Sequence, residues 1–218
     1  MTKAEITKKI VDIGVVPVVR ASSAAQAIAA AEAVCAGGIS VVEVTMTVPG
    51  AVEVIAQLVK TMSSAVLVGA GTVLNADSAR RCLDAGAQFL VSPGFDLETV
   101  KFANGKGVLI IAGALTPTEV ITAWNAGSDF VKIFPCGNVG GAKYIKALKG
   151  PLPQIPMIPT GGVNLNTAAE FIQAGSAALG IGGELILAAA LKSGNMREIT
   201  ELAKQYVSIV REARAAKA

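Results

Sequence analysis

The chain has 218 residues, 52% hydrophobic and 16% charged, and its 19 Lys+Arg against 16 Asp+Glu give a formal net charge of +3. A chain this apolar is not disordered, and at roughly 100–200 residues per domain the length suggests one domain with an ordinary core. There is no histidine, which excludes Ser-His-Asp and Cys-His catalysis, His-ligated zinc and imidazole general bases.

The first segment, Met1 to Ile13, is charged, lacks the apolar stretch of a signal peptide and is expected to be helical over about 2–13. After it, short runs rich in Val, Ile and Leu alternate with amphipathic stretches, the pattern of parallel strands covered on both faces. In chain order they are the strand Val15–Val19, the helix Ser23–Ala36, the strand Ser40–Val44, the helix Ala51–Lys60 and the strand Val66–Val68. The helix Ala76–Ala85 and the strands Gln88–Val91 and Val108–Ile111 follow, then the helix Pro117–Asn125 and the strand Phe130–Ile133. The strand Ile155–Ile158, the helix Asn166–Ala174, the strand Ala177–Ile181 and a final helix over about 196–213 complete the chain. Helices end in Ala-Gly before a strand at Gly37, Gly86, Gly127 and Gly175, where glycine is expected to take the left-handed conformation that stops a helix. With no linker or composition break, residues 1–218 read as a single α/β domain, a (β/α)8 TIM barrel. A doubly wound sheet usually carries a Gly-rich fingerprint after its first strand; Arg20-Ala21-Ser22-Ser23 cannot serve as one.

Cys35, Cys82 and Cys136 have neither CxxC spacing nor an even count, so a disulfide framework is not expected and a reducing, cytoplasmic location is. Basic residues form no run and aromatics are 4%, which argues against nucleic acid as a partner. No apolar stretch reaches the ~20 residues needed to span a bilayer, so no membrane partner is expected either. Cys136 has no base beside it, Cys35 and Cys82 fall on helices, and Trp124 and Tyr144 read as packing residues. Lys143, Lys146 and Lys149 read as a solvated helical stripe.

Parallel barrels carry their chemistry at the C-terminal ends of the strands. Unusual polar residues collect there: Arg20, Glu43, Thr45, Thr72, Ser92, Thr116, Lys132 and Thr160. Alternation puts Phe130, Lys132 and Phe134 on one face of their strand and Val41, Glu43 and Thr45 on one face of theirs. If both faces point inward, a lysine and a carboxylate meet in the barrel mouth, where burying either alone costs several kcal/mol. One reading is a structural Lys–Glu pair, or a lysine snorkelling to the rim. The other is an amine nucleophile toward a carbonyl, kept neutral by desolvation between Phe130 and Phe134, with Glu43 as its general acid/base. Thr160-Gly161-Gly162 and Gly182-Gly183 end the last two strands, where barrels frequently bind phosphate through backbone N–H groups. Gly69-Ala70-Gly71-Thr72 reads as a tight strand exit, with Thr72 free to bond a substrate carboxylate.

Five motifs in this order, around a lysine in a strand, resemble the bacterial 2-keto-3-deoxy-6-phosphogluconate (KDPG) and 2-keto-4-hydroxyglutarate (KHG) aldolases, class I enzymes. They are Val-Glu43-Val-Thr45, Gly69-Ala-Gly-Thr72, Ser92-Pro93-Gly94, Lys132-Ile-Phe134-Pro135 and Pro159-Thr160-Gly161-Gly162. The resemblance implies a (β/α)8 barrel that uses no metal or other cofactor, acts on a small keto acid and is usually a homotrimer. It implies Lys132 as the Schiff-base lysine and Glu43 as the general acid/base. Thr72 and Thr160 would contact the pyruvate-derived half, Pro93 and Phe134 would line the pocket, and Gly161, Gly162, Gly182 and Gly183 would cradle a phosphate. Two departures stand out. Some members carry an arginine four residues after the first-motif carboxylate, but here Glu43 is followed by Val44-Thr45-Met46-Thr47; Arg20 is expected to replace it from the first strand. Glu184 follows Gly182-Gly183 where a serine often contacts phosphate, and a carboxylate there repels phosphate unless it turns away. The alternatives are the same chemistry on KHG, the galactonate epimer or an unphosphorylated keto-deoxy sugar acid. A non-catalytic barrel serving as an assembly scaffold, with Ser23–Ala36 and Leu185–Leu191 at subunit contacts, is the alternative of another class.

Overall fold

Runs of β-branched residues broken by Ala-Gly turns leave the chain one economical arrangement, strands inside and helices outside, and the computed structural model has it. It describes residues 1–62 and 65–216; positions 63–64 and 217–218 of the expected domain lie outside the described residues. Helix α1 (Lys3–Ile13) precedes β1 (Val15–Val19), and α2 (Ala24–Ala36), β2 (Val41–Thr45), α3 (Ala51–Met62), β3 (Leu67–Gly71), α4 (Ala76–Asp84) and β4 (Phe89–Val91) follow. The second half runs α5 (Leu97–Gly105), β5 (Leu109–Ala114), α6 (Pro117–Asn125), β6 (Phe130–Ile133), a 3-10 turn (Cys136–Val139), α7 (Ala142–Lys149) and β7 (Met157–Pro159). It ends with α8 (Ala168–Gln173), β8 (Leu179–Ile181), α9 (Ala188–Ser193) and α10 (Met196–Ala215). All eight strands are parallel, in the order β7-β6-β5-β4-β3-β2-β1-β8. A single Thr160↔Gly180 bridge joins the two ends and closes the ring.

Alternation sorts the strand side chains into two clusters. The outer one lies between sheet and helices and includes Val19, Val42, Val44, Val68, Leu90, Ile110 and Val131. The inner one fills the barrel with Val16, Val41, Leu67, Phe89, Leu109, Ile111, Phe130 and Ile158. Helix α1 seals the N-terminal end of this interior. Thr2 and Glu5 form a reciprocal capping box at its start, while Ile6 and Ile10 enter the inner cluster. Burying each isoleucine contributes roughly 1.5–3 kcal/mol. Lys3 pairs with Asp129 at 3.0 Å and helps hold the helix across the barrel end.

Three local expectations are corrected. Gly86, Gly127 and Gly175 do have positive φ, but after α2 the left-handed residue is Gly38 (φ 95°), and Gly37 has φ −82°. Gly37 is small for another reason: a Cβ there would collide with Ala203 Cβ and stand 2.6 Å from the Thr200 carbonyl on α10. Lys149 is not part of a solvated stripe. Its ammonium donates to the carbonyls of Pro153 and Ile155, both at 2.8 Å, whereas Lys143 and Lys146 are exposed. Gly69 and Gly71 lie inside β3 rather than at a strand exit, paired with Glu43 and Thr45 of β2.

Candidate active site

Towards the C-terminal end the inner positions change character. Beyond Val41 comes Glu43 and then Thr45, and beyond Phe130 comes Lys132. Register pairs Glu43 with Val18 and Gly69, and Lys132 with Gly113 and Ile158. Both charged side chains are buried, 2% exposed for Glu43 and 4% for Lys132. They share an electrostatic field, yet among the described residues no ion pair joins them. Burial pushes the Glu43 carboxyl above its ordinary range, and the positive charges of Lys132 and Arg20 only partly oppose that. Its Oε1 is buried without a hydrogen-bond partner, a condition that costs about 1–3 kcal/mol. Such a group is poised to bond something that enters the barrel.

Small residues make room for this pair. A Cβ on Gly71 would overlap the Glu43 carboxyl, one on Gly69 would overlap the Phe89 ring, and one on Gly113 would overlap the Pro93 carbonyl. The sequence reading did not assign these clearances. Their signal was glycine recurring at every second position of a strand, which marks close approach on one face. Thr45 is fully buried, donates to the Val19 carbonyl at 3.0 Å and shares a 2.7 Å hydrogen bond with Thr47. Ser92 donates to the Gly94 carbonyl at 2.6 Å and accepts the Gly113 N–H at 3.3 Å, which ties the end of β4 to β5. Both hydroxyls are thus engaged in holding strand ends. The Lys132 ammonium lies 5.3 Å from the centre of the Phe134 ring, within cation–π range.

The remaining expected site residues divide into two groups. Arg20, Phe134, Thr160, Gly161, Gly162, Gly182, Gly183 and Glu184 line one cavity of about 220 Å³, together with Val18, Val163 and Gly180. Gly161 and Gly162 have φ of 84° and 78°, a geometry that turns successive backbone groups toward one side. Among the described residues, no hydrogen bond engages the N–H groups of Gly162, Gly182 or Gly183. Gly180 lacks a Cβ where one would overlap the Thr160 hydroxyl, so that side chain stays on the inner face. Thr72 and Pro93 do not line this cavity. Thr72 follows β3 with φ 58°, the one non-glycine residue of positive φ among the described residues, a backbone held in a sparsely populated region at the barrel mouth. Pro93 borders a separate crevice of about 380 Å³ with Val73, Leu74 and Phe95.

The two buried thiols are poor nucleophiles. Burial pushes the Cys136 thiol up to about 12 and the Cys82 thiol up to about 11, far from the thiolate a nucleophile needs. Among the described residues, no three His, Cys, Asp or Glu side chains gather as a metal would require. No described helix is long and apolar enough to cross a membrane.

Comparison with known proteins agrees with this geometry. A profile of the KDPG and KHG aldolases matches residues 6–202. The 2-dehydro-3-deoxy-phosphogluconate aldolase of Treponema pallidum is 38% identical over 91% of this chain and 94% of its own length. The KHG/KDPG aldolase of Escherichia coli K12 is 37% identical over 88% of this chain and 90% of its own. Among solved structures, the KDPG aldolase of Legionella pneumophila, with pyruvate captured as a covalent carbinolamine, superposes with a TM-score of 0.84 at 32% identity. The match covers 91% of this chain and 96% of that one. With an eight-stranded barrel, a buried lysine facing a buried carboxylate and relatives matched over most of their length, this chain belongs to the KDPG and KHG aldolase family.

Proposed function

We propose that this chain is a Schiff-base aldolase that cleaves 2-keto-3-deoxy-6-phosphogluconate to pyruvate and glyceraldehyde 3-phosphate, with Lys132 as nucleophile and Glu43 as acid/base. The observation that carries the reading is the buried Lys132 standing within the field of an unpartnered, buried Glu43 without an ion pair between them. A structural pair would be closed by direct contact to offset the cost of burying both charges.

In this mechanism the neutral Lys132 amine adds to C2 of the keto acid, giving a carbinolamine. Glu43, its carboxyl held protonated more readily than usual by burial, protonates the departing hydroxyl, and water leaves to form an iminium. The Glu43 carboxylate then takes the C4 hydroxyl proton. The C3–C4 electron pair moves into the iminium to give an enamine, and the aldehyde departs. Protonation of the enamine at C3 and hydrolysis release pyruvate and restore the amine. Thr160 and Phe134 hold the pyruvate-derived half, with Thr72 and Pro93 at the mouth. The free N–H groups of Gly162, Gly182 and Gly183 receive the terminal phosphate. Positioning and one acid/base group are the protein's main contributions. We also take the chain to assemble as a homotrimer, as its family resemblance implies; light scattering reads that directly.

Incubation with pyruvate and borohydride, followed by intact mass and peptide mapping, tests the reading. A stable pyruvyl adduct on Lys132 is expected. A folded protein with no adduct would make Lys132 a structural partner of Glu43.

A further inference from the structure

Two charged side chains, Arg20 and Glu184, line the cavity formed by the glycine turns. Neither takes part in an ion pair among the described residues. Arg20 is exposed at the end of β1 and also borders an outer crevice of about 630 Å³ that holds Lys192. Glu184 is exposed as well and borders a crevice of about 510 Å³ shared with Glu198 and Glu201. Those two acids have partners: Lys204 reaches Glu201 at 2.8 Å, and the Asn195 amide reaches Glu198 at 3.2 Å. Glu184 offers Tyr206 only its main-chain carbonyl, at 3.4 Å, and its carboxylate has no hydrogen bond among the described residues.

The terminal-group cavity therefore carries one positive and one negative side chain, whose charges sum to zero. A phosphate brings close to two negative charges; Arg20 attracts it and Glu184 repels it. A free hydroxyl meets no such conflict, since it can donate to the carboxylate and accept from the guanidinium or a glycine N–H. We propose that Arg20 and Glu184 form a charge-balanced terminal-group site, so that this chain cleaves 2-keto-3-deoxy acids ending in a free hydroxyl nearly as well as those ending in phosphate. The inference rests on the aldolase reading above and adds the class of substrate.

The experiment compares kcat/KM for 2-keto-3-deoxy-6-phosphogluconate and 2-keto-3-deoxygluconate in the unaltered chain and three variants. The unaltered chain is expected to favour the phosphorylated compound by about tenfold or less. Glu184→Gln, which keeps size and removes charge, raises that ratio by about tenfold; one opposing charge near an anion is worth roughly that much. Arg20→Gln lowers it by a similar factor. Glu201→Gln, on the same acidic crevice but outside the cavity, leaves it within twofold. A thousandfold phosphate preference in the unaltered chain, an unmoved ratio in Glu184→Gln, or an equal shift in Glu201→Gln overturns the proposal. So does an Arg20→Gln variant that loses both activities equally, since Arg20 would then bind the carboxylate common to both compounds. No cleavage of either compound, together with no borohydride adduct on Lys132, removes the aldolase reading itself and the selectivity with it.

Discussion

At the N-terminal end of the barrel, Val16, Val41, Leu67, Phe89, Leu109 and Phe130 pack against Ile6 and Ile10, and no side chain in that cluster carries a charge. Two residues further along β2 and β6 stand Glu43 and Lys132, buried just as deeply and, among the described residues, with no ion pair between them. The same strands thus stabilise the fold at one end and carry its electrostatic cost at the other. The sealed end makes that cost affordable: an unpartnered buried carboxyl oxygen persists only in a fold whose remaining burial outweighs it. Substitutions at the two ends should therefore separate activity from stability.

Lys132→Met has the largest expected effect. Turnover should fall on the order of 10⁵-fold as the nucleophile is lost, while the melting temperature falls only modestly, because Met keeps the packing and Glu43, left without the lysine beside it, can take up a proton. Single-turnover assay and thermal unfolding read the two quantities together. A large loss of stability would mean that Lys132 belongs with the structural end.

Glu43→Gln should lower kcat by about 10²- to 10⁴-fold. Its effect on stability follows from the direction of the pKa shift. Burial raises the Glu43 carboxyl above its ordinary value, so the folded protein holds this proton more tightly than the unfolded chain. Any stability linked to that proton is present at acid pH and is lost as pH rises from the ordinary glutamate value through the raised one. Glu43→Gln should remove that pH dependence and gain about 1 kcal/mol near neutrality, or roughly 2–4 °C. Unfolding curves across the acid-to-neutral range would decide; a variant less stable at neutral pH would contradict the assignment.

Ile10→Ala tests the sealed end. Its side chain is fully buried in the inner cluster, so about 2–5 kcal/mol of stability should be lost to the cavity left behind. The kcat of protein that remains folded should stay within twofold. A kcat that falls with stability would show that the two ends are mechanically coupled.

Gly71→Ala is the most informative of the four about geometry. The added Cβ would overlap the Glu43 carboxyl, so the side chain must shift. Overpacking costs about 1–3 kcal/mol, and a misplaced acid/base group lowers kcat by up to about 10²-fold. Steady-state kinetics with a pH profile would separate displacement of Glu43 from general destabilisation.

Legibility varied with the range of the interactions involved. β1, β6 and α6 run over the residues expected from the sequence, whereas Thr116, expected among the polar groups at the strand ends, serves as the N-cap of α6. Helix α5, absent from the sequence reading, starts from an Asp96 cap but buries only Thr99, Val100 and Ala103 on one side, a stripe too sparse to stand out. The short α9 lay hidden in the apolar stretch assigned to subunit contacts. At the site, strand alternation put Lys132 on one face with Phe130 and Glu43 on one face with Val41, and the inner cluster shows that both faces point inward. Alternation could not place Thr72 and Pro93 relative to the cavity that holds Arg20 and the glycines, because that depends on loop paths beyond the strand ends.

Short apolar runs, period-two alternation and turn glycines were therefore enough to specify a parallel barrel and to put its polar residues at one end, since each acts over a few neighbouring residues. Tertiary packing alone decided that Gly37 yields to α10, that Gly71 clears the Glu43 carboxyl and that Arg20 and Glu184 share one cavity. Those relations join residues far apart in the chain, and they are set by excluded volume and charge across space, which no local pattern encodes.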